Sequence, residues 1–212
     1  RHNQKIIGQT NSCFAIDLIG FGSSSQPKAY LNGEQKNIHD FRYCFENWAL
    51  QISDFCREVI DAPVILIGNS IGGIIALKAA KLLNDQCQRL ILIDCAQRQM
   101  DDKRLQEQPL GMQLIRPLLK QLTRQRFISR NLLKNAAKPS LIRKVLEKAY
   151  PTGNNIDEQL INILLKPAER NGASESFRGF INLFDDDLAP DLMKDMEIPV
   201  DLIWGANDPW EP

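Results

Sequence analysis

The feature that most constrains the fold is a short glycine-rich run between a strand pattern and a helix pattern. Residues 63–67 (PVILI) form an apolar run rich in β-branched side chains and bounded by proline and Gly68, as in a strand buried on both faces of a sheet. Residues 72–83 carry apolar side chains at helical spacing, and residues 90–93 (LILI) repeat the strand pattern. Strand, helix and strand at this spacing predict a βαβ unit, and therefore an α/β fold with a mostly parallel sheet flanked by helices on both faces.

Three further segments extend this pattern along the chain. Residues 13–18 (CFAIDL) predict a strand that enters a glycine-rich turn. Apolar side chains that step by four and three from Phe41 predict a helix that ends near Ile60. Residues 199–204 (PVDLIW) predict the last strand.

Between residues 97 and 187 the strand patterns disappear. Leucine and isoleucine recur there at helical spacing, and prolines interrupt them. Because unstructured connections inside a compact domain rarely exceed about 15 residues, this segment is predicted to be a helical insertion. The expected organisation is an incomplete α/β core made of residues 1–96 and 188–212, with residues 97–187 as a helical cap or lid.

Composition argues against several classes of protein. The 26 basic and 26 acidic side chains balance, which argues against a nucleic-acid-binding protein. No apolar run approaches the roughly 18 residues of a membrane span, so a soluble protein is expected. The five cysteines are odd in number and form no CxxC pair, so neither a disulfide framework nor a metal site is predicted. No motif predicts a cofactor.

The run from Gly68 to Gly73 (GNSIGG) has the spacing GxSxG at the predicted strand-to-helix turn. Such a turn holds a serine in a strained conformation with its hydroxyl exposed at the carboxyl end of the sheet, and side chains at Gly68 or Gly72 are expected to clash there. Ser70 is therefore a candidate nucleophile, and the amide of Ile71 a candidate oxyanion donor. A serine that only caps the helix produces the same residues, although two glycines in a first helical turn argue against that alternative.

Three motifs, in this order, resemble those of the α/β-hydrolase superfamily. They are D-x-x-G-x-G at residues 17–22, the serine turn, and LIWGAND at residues 202–208. The resemblance implies that Ser70 is the nucleophile and Asp208 the acid of a catalytic triad. Asp208 also fits an Asx turn before a proline, and Asp94 at the end of another strand is the alternative acid. Family members that act on haloalkanes or epoxides have Asp in place of the serine, so Ser70 implies acyl transfer and ester hydrolysis.

In finer detail, the serine turn and the segment DPWEP at residues 208–212 resemble those of plant and cyanobacterial pheophytinase-like hydrolases. The leading hypothesis is a serine hydrolase of carboxylic esters that acts, through an acyl-enzyme, on a moderately large apolar substrate enclosed by the cap. The expected location is a cytoplasmic, plastid or cyanobacterial interior. Several alternatives stay open: thioester hydrolysis, carbon–carbon bond hydrolysis, cofactor-free haloperoxidase chemistry, and a non-catalytic binding protein of the same fold.

The chain departs from the family pattern in its histidines. Only His2 and His39 are present, and both precede Ser70, whereas the family order is serine, acid, histidine. His39, beside a predicted helix start, is expected to be a solvated or capping residue. Because the first residue is not Met and the family's oxyanion loop and histidine strand are missing, the chain is expected to be truncated at both ends and inactive as printed.

Charge is unevenly distributed although its sum is zero. Residues 98–148 hold thirteen Lys or Arg against four Asp or Glu, and residues 151–212 hold four against thirteen. Three interpretations stay open: attraction of an anionic substrate, peripheral contact of the amphipathic stretch 112–133 with an acidic membrane, or a solvated face. The solvated face would consist of Arg116, Lys120, Arg124 and Arg130.

Overall fold

The structure is a computed structural model that describes residues 3–98, 101–150 and 152–211. Its strands are β1 (Val64–Asn69), β2 (Cys87–Ile93) and β3 (Val200–Ile203). Its α-helices are α1 (Asn3–Ile7), α2 (Phe45–Phe55), α3 (Ile71–Leu83), α4 (Leu110–Arg124), α5 (Arg126–Ala136), α6 (Pro139–Ala149), α7 (Glu158–Ala168), α8 (Ala173–Ile181) and α9 (Ala189–Met193). A π-helical segment (Cys56–Ile60) continues α2, and 3₁₀ turns cover Asn84–Gln86 and Asp102–Glu107.

The three strands form one parallel sheet in the order β1-β2-β3. The register pairs Leu66 with Leu90 and Leu92 with Leu202. The predicted βαβ unit is confirmed as β1-α3-β2, and with it the α/β fold class. Because all three strands run in the same direction, the loops that follow them lie side by side at the carboxyl edge of the sheet, where open α/β sheets bind their ligands.

One helical layer, made of α2, α3 and α9, contains most of the core. Trp48 of α2 and Leu77 of α3 are fully buried in this layer and pack with Leu90 of β2. Alternate side chains of a strand point to the opposite face, where Ile65 and Ile67 are 56% and 50% exposed. The prediction that β1 is buried on both faces is therefore wrong, because in the described residues this helical layer covers one face of the sheet.

Residues 13–18, predicted to be a strand, do not form one. A strand needs a hydrogen-bonded neighbour, and within the described residues this segment has no ladder partner. It lies beside α2 instead, where the ring centroids of Phe14 and Phe55 are 5.6 Å apart. The glycine-rich turn that follows forms as predicted, with Gly20 at a φ of 98°.

Between β2 and β3 the described residues form helices and turns. The buried side chain of Arg178 links helix α8 to residues 29–34. Its guanidinium donates to the Glu34 carboxylate and, at 3.2 Å, to the carbonyl of Ala29. Helix α6 contacts the loop after β3, where the Lys148 ammonium lies 4.2 Å from the centroid of the Trp210 ring. In the described part of the chain, no helix combines the length and apolarity needed to cross a bilayer.

Candidate active site

Ser70 occupies the sharp turn between β1 and α3. Its φ of 52° and ψ of −124° lie in a region that residues other than glycine adopt only under strain. Its amide donates to the carbonyl of Ile93 on β2 at 3.0 Å, which fixes the turn to the sheet. An N-capping serine has an extended backbone and a side-chain bond to the helix, and Ser70 has neither. The interpretation of Ser70 as a helix cap is therefore wrong.

The three glycines around Ser70 differ in how closely they are packed. A Cβ on Gly68 would lie 2.3 Å from the carbonyl oxygen of Gly72 and 2.6 Å from the amide nitrogen of Gly73. A Cβ on Gly73 would lie 2.6 Å from the Cys95 sulfur, whereas one on Gly72 would have no neighbour within 4 Å. The predicted clash is confirmed at Gly68 and wrong at Gly72, because the close approach occurs at Gly68 and Gly73.

Ile71 is the first residue of α3. The first amides of a helix have no acceptor inside the helix, and the aligned peptide dipoles make this end positive. The amide of Ile71 therefore comes directly after the nucleophile candidate, in the position from which the sequence predicts that it stabilises an oxyanion.

Asp208 lies in the loop after β3. Its Oδ1 accepts the backbone N–H groups of Trp210 and Glu211, both at 2.7 Å, so the Asx-turn interpretation is confirmed. Within the described residues its Oδ2 has no hydrogen-bond partner. A structural role and a catalytic role are compatible, because one oxygen shapes the loop while the other stays available to a base.

Asp94, the alternative acid, links the loops after β2 and β3. Its Oδ1 accepts the backbone N–H of Gly205 at 2.6 Å, and its own backbone has a positive φ of 43°. The Asp94 side chain therefore stabilises the start of the loop that carries Asp208.

A chain of hydrogen bonds joins the loops that follow the three strands. The carbonyl of Ser70 accepts from the amide of Ala96 at 3.2 Å. The next residue, Gln97, donates its amide to the Glu211 carboxylate at 2.8 Å, and the Glu211 amide in turn donates to Asp208. The nucleophile candidate and the acid candidate are thus connected through the loop after β2.

Two groups at this edge, the half-buried Glu211 and the buried Cys95, were not predicted from the sequence as part of the site. Burial raises the pKa of Glu211, and the neighbouring Asp208 charge raises it further. Burial also raises the pKa of the Cys95 thiol to about 11, which keeps this thiol protonated at neutral pH. The bond from Gln97 to Glu211 spans 114 residues, so no local pattern indicates it.

The described part of the site contains no histidine that could act as the base for Ser70. His39 lies in an exposed turn before α2, as expected for a solvated residue. His2 lies outside the described residues. In the part of the chain that the structure describes, no imidazole forms a hydrogen bond with the Ser70 hydroxyl.

Comparison with known proteins shows what the whole chain is similar to. Residues 9–212 match the model of the alpha/beta hydrolase fold. The chain is 25% identical over 195 residues to an uncharacterized hydrolase, YugF, of Bacillus subtilis (strain 168). The match covers 92% of this chain and 62% of that relative, so the chain spans less than two thirds of its length.

Two solved structures share the fold. A probable hydrolytic enzyme from Pseudomonas aeruginosa PAO1 has a TM-score of 0.62 at 19% identity, over 91% of this chain and 55% of its own. A thermophilic esterase from Thermogutta terrifontis has a TM-score of 0.57 at 19% identity, over 92% of this chain and 62% of its own.

Proposed function

The chain belongs to the α/β-hydrolase fold family, and from this premise we propose that it is a serine hydrolase of carboxylic esters. The observation that carries the proposal is the strained backbone of Ser70 at the end of β1, together with the backbone approach that leaves no room for a side chain at Gly68. Strain of this kind persists where the surrounding structure imposes it, and it is concentrated at functional sites.

In the proposed reaction, Ser70 Oγ attacks the ester carbonyl carbon while a histidine base takes the hydroxyl proton. The tetrahedral intermediate collapses, the proton passes to the leaving alcohol, and an acyl-enzyme remains. Water, deprotonated by the same base, then attacks the acyl carbon. The base returns this proton to Ser70 Oγ as the acyl bond breaks, which releases the carboxylic acid and restores Ser70. The amide of Ile71 donates to the oxyanion in both steps, and the free carboxylate oxygen of Asp208 orients the base.

We assign the catalytic base to neither of the two histidines in these 212 residues. His2 and His39 precede Ser70, opposite to the family order, and His39 is exposed in its turn. Serine alone is a weak nucleophile at neutral pH. We therefore propose that the 212-residue chain by itself has little or no turnover.

We further propose that the inserted helices cap the substrate, and that the substrate is apolar and moderately large. Lys148 of α6 contacts Trp210 in the acid loop. Leu141 and Val145 follow the same side of α6 by helical spacing, and both are partly exposed, which supports an apolar surface facing this region. The finer likeness to pheophytinase-like enzymes and the intracellular location stay predictions.

A chain-length series of p-nitrophenyl esters tests this proposal, with the complete gene product that contains these residues. We expect turnover that rises with acyl chain length and falls by about 10³-fold or more in Ser70→Ala. The exposed serine variant Ser12→Ala should keep full activity. Unchanged turnover in Ser70→Ala would refute the assignment of Ser70 as the nucleophile. If Ser70-dependent turnover were found only with thioesters or with substrates cleaved at a carbon–carbon bond, that substrate class would replace carboxylic esters in the proposal.

A further inference from the structure

Helix α4 packs with its polar side against the protein. The buried guanidinium of Arg116 donates to the Asp102 carboxylate at 3.1 Å and to the Gln108 side chain at 3.0 Å. Lys120 also pairs with Asp102, and its ammonium lies 5.3 Å from the centroid of the Phe184 ring. The interpretation of Arg116 and Lys120 as part of a solvated face is therefore wrong, because Asp102 and Phe184 hold them against the protein.

The opposite side of α4 is apolar and exposed. Leu110, Leu114 and Leu118 follow one another at intervals of four residues, which places them along one side of the helix, and they are 77%, 82% and 61% exposed. Ile115 and Leu119 widen this row and are also exposed. Single exposed leucines are common on soluble proteins, but a contiguous row of them marks an interaction surface.

Helix α5 follows α4 after one residue, contacts it, and exposes an aromatic ring and two cations. Phe127 is 76% exposed, and the exposed side chains of Arg130 and Lys134 follow it at intervals of three and four residues on the same side of the helix. No described carboxylate forms an ion pair with Arg130 or Lys134, whereas Arg126 at the start of the helix pairs with Glu175. Uncompensated positive charge therefore lies next to exposed apolar side chains.

We propose that the exposed sides of α4 and α5 form a docking surface for an anionic phospholipid bilayer. The leucines of α4 and Phe127 would enter the boundary between headgroups and acyl chains, and Arg130 and Lys134 would pair with lipid phosphates. A second copy of this chain fits the surface poorly, because a two-fold interface would press two patches of the same positive sign together. The proposal does not depend on hydrolysis, since neither helix carries a triad residue.

Vesicle sedimentation of the complete gene product that contains these residues tests this surface. We expect binding to phosphatidylcholine vesicles that contain about one third phosphatidylglycerol, little binding to pure phosphatidylcholine, and weaker binding as salt concentration rises. The double variant Arg130→Gln/Lys134→Gln should lower the partition coefficient about tenfold or more. Leu114→Ser/Leu118→Ser should lower it to a similar extent by removing apolar side chains from the bilayer boundary.

Matched controls lie elsewhere on the surface of the chain. Ile38→Ser removes a side chain that is 90% exposed, and Lys5→Gln removes an exposed cation on α1; both should bind as the parent does. All variants should keep the parent's thermal unfolding curve, because the substituted side chains are exposed. A partition coefficient that is unchanged in both double variants, or that is the same for anionic and pure phosphatidylcholine vesicles, would overturn the proposal. Lipid-free self-association that Leu114→Ser/Leu118→Ser abolishes would overturn it too, by assigning the surface to a second copy.

Discussion

At the scale of single residues, the glycines around Ser70 differ in whether the structure has room for a side chain at their position. Gly68→Ala would place a methyl group against the backbone of Gly72 and Gly73, so we expect the free energy of unfolding to fall by about 3 kcal/mol. Gly72→Ala has free space and should raise it by about 0.5–1 kcal/mol, because alanine favours the helix. Urea unfolding of the two variants measures both values, and equal effects would contradict the described packing.

The two candidate acids can be separated by substitutions that retain an acceptor oxygen. Asp208→Asn keeps an oxygen for the amides of Trp210 and Glu211 but loses the charge that stabilises an imidazolium, so ester turnover should fall on the order of 10⁴-fold with little loss of stability. Asp94→Asn keeps the bond to Gly205 and should keep most of the activity. Steady-state kinetics that show the reverse would make Asp94 the acid.

At the scale of secondary-structure elements, Arg178 determines how firmly the inserted helices are held. Arg178→Ala removes a buried cation from Glu34 and leaves the carbonyls of Ala29 and Arg124 without this donor, so we expect a loss of about 3–5 kcal/mol and faster hydrogen exchange in α8. The matched variant Arg143→Ala breaks a surface pair with Glu158 and should cost less than about 1 kcal/mol. Similar losses in the two variants would argue against α8 being anchored through Arg178.

The elements that the sequence predicts well are those whose signal is local. The strands of the βαβ unit and the last strand follow from apolar runs, and the sharp turn at Ser70 follows from the short glycine motif between a strand and a helix. Pairing between distant segments is not local: residues 13–18 have strand composition but no ladder partner in the described chain, and α2 begins at Phe45 because Phe41 pairs with Ala29.

The periodicity of apolar side chains also does not determine which side of a helix faces the protein. The spacing of leucines in α4 defines an apolar and a polar side, but it does not say which side faces inward. Asp102 and Phe184 settle this by holding Arg116 and Lys120 against the protein. Both partners lie outside the helix, so no periodicity within it indicates them.

At the scale of the whole molecule, Glu211 makes stability depend on pH. Burial raises its pKa above the ordinary value of 4.5, so its stabilising contribution is complete below that value and is lost as the pH rises through the raised pKa. Glu211→Gln still accepts from the Gln97 amide and carries no charge. The variant should therefore be more stable than the parent at pH 7 and show no advantage near pH 4.

Urea unfolding at the two pH values checks this expectation. Glu147→Gln, an exposed carboxylate on α6, serves as the matched control and should show no such pH-dependent difference. An advantage of Glu211→Gln that is the same at both pH values would show that burial of the charge is not its source.

The central claim is that Ser70 is the nucleophile, and active-site labelling tests it most directly. The complete gene product is treated with a fluorophosphonate, which forms a covalent bond to activated serines, and the modified peptide is identified by mass spectrometry. We predict one adduct, on Ser70, that disappears in Ser70→Ala and persists in Ser12→Ala. Ester turnover with an adduct on another residue, or with an unmodified Ser70, would contradict the claim.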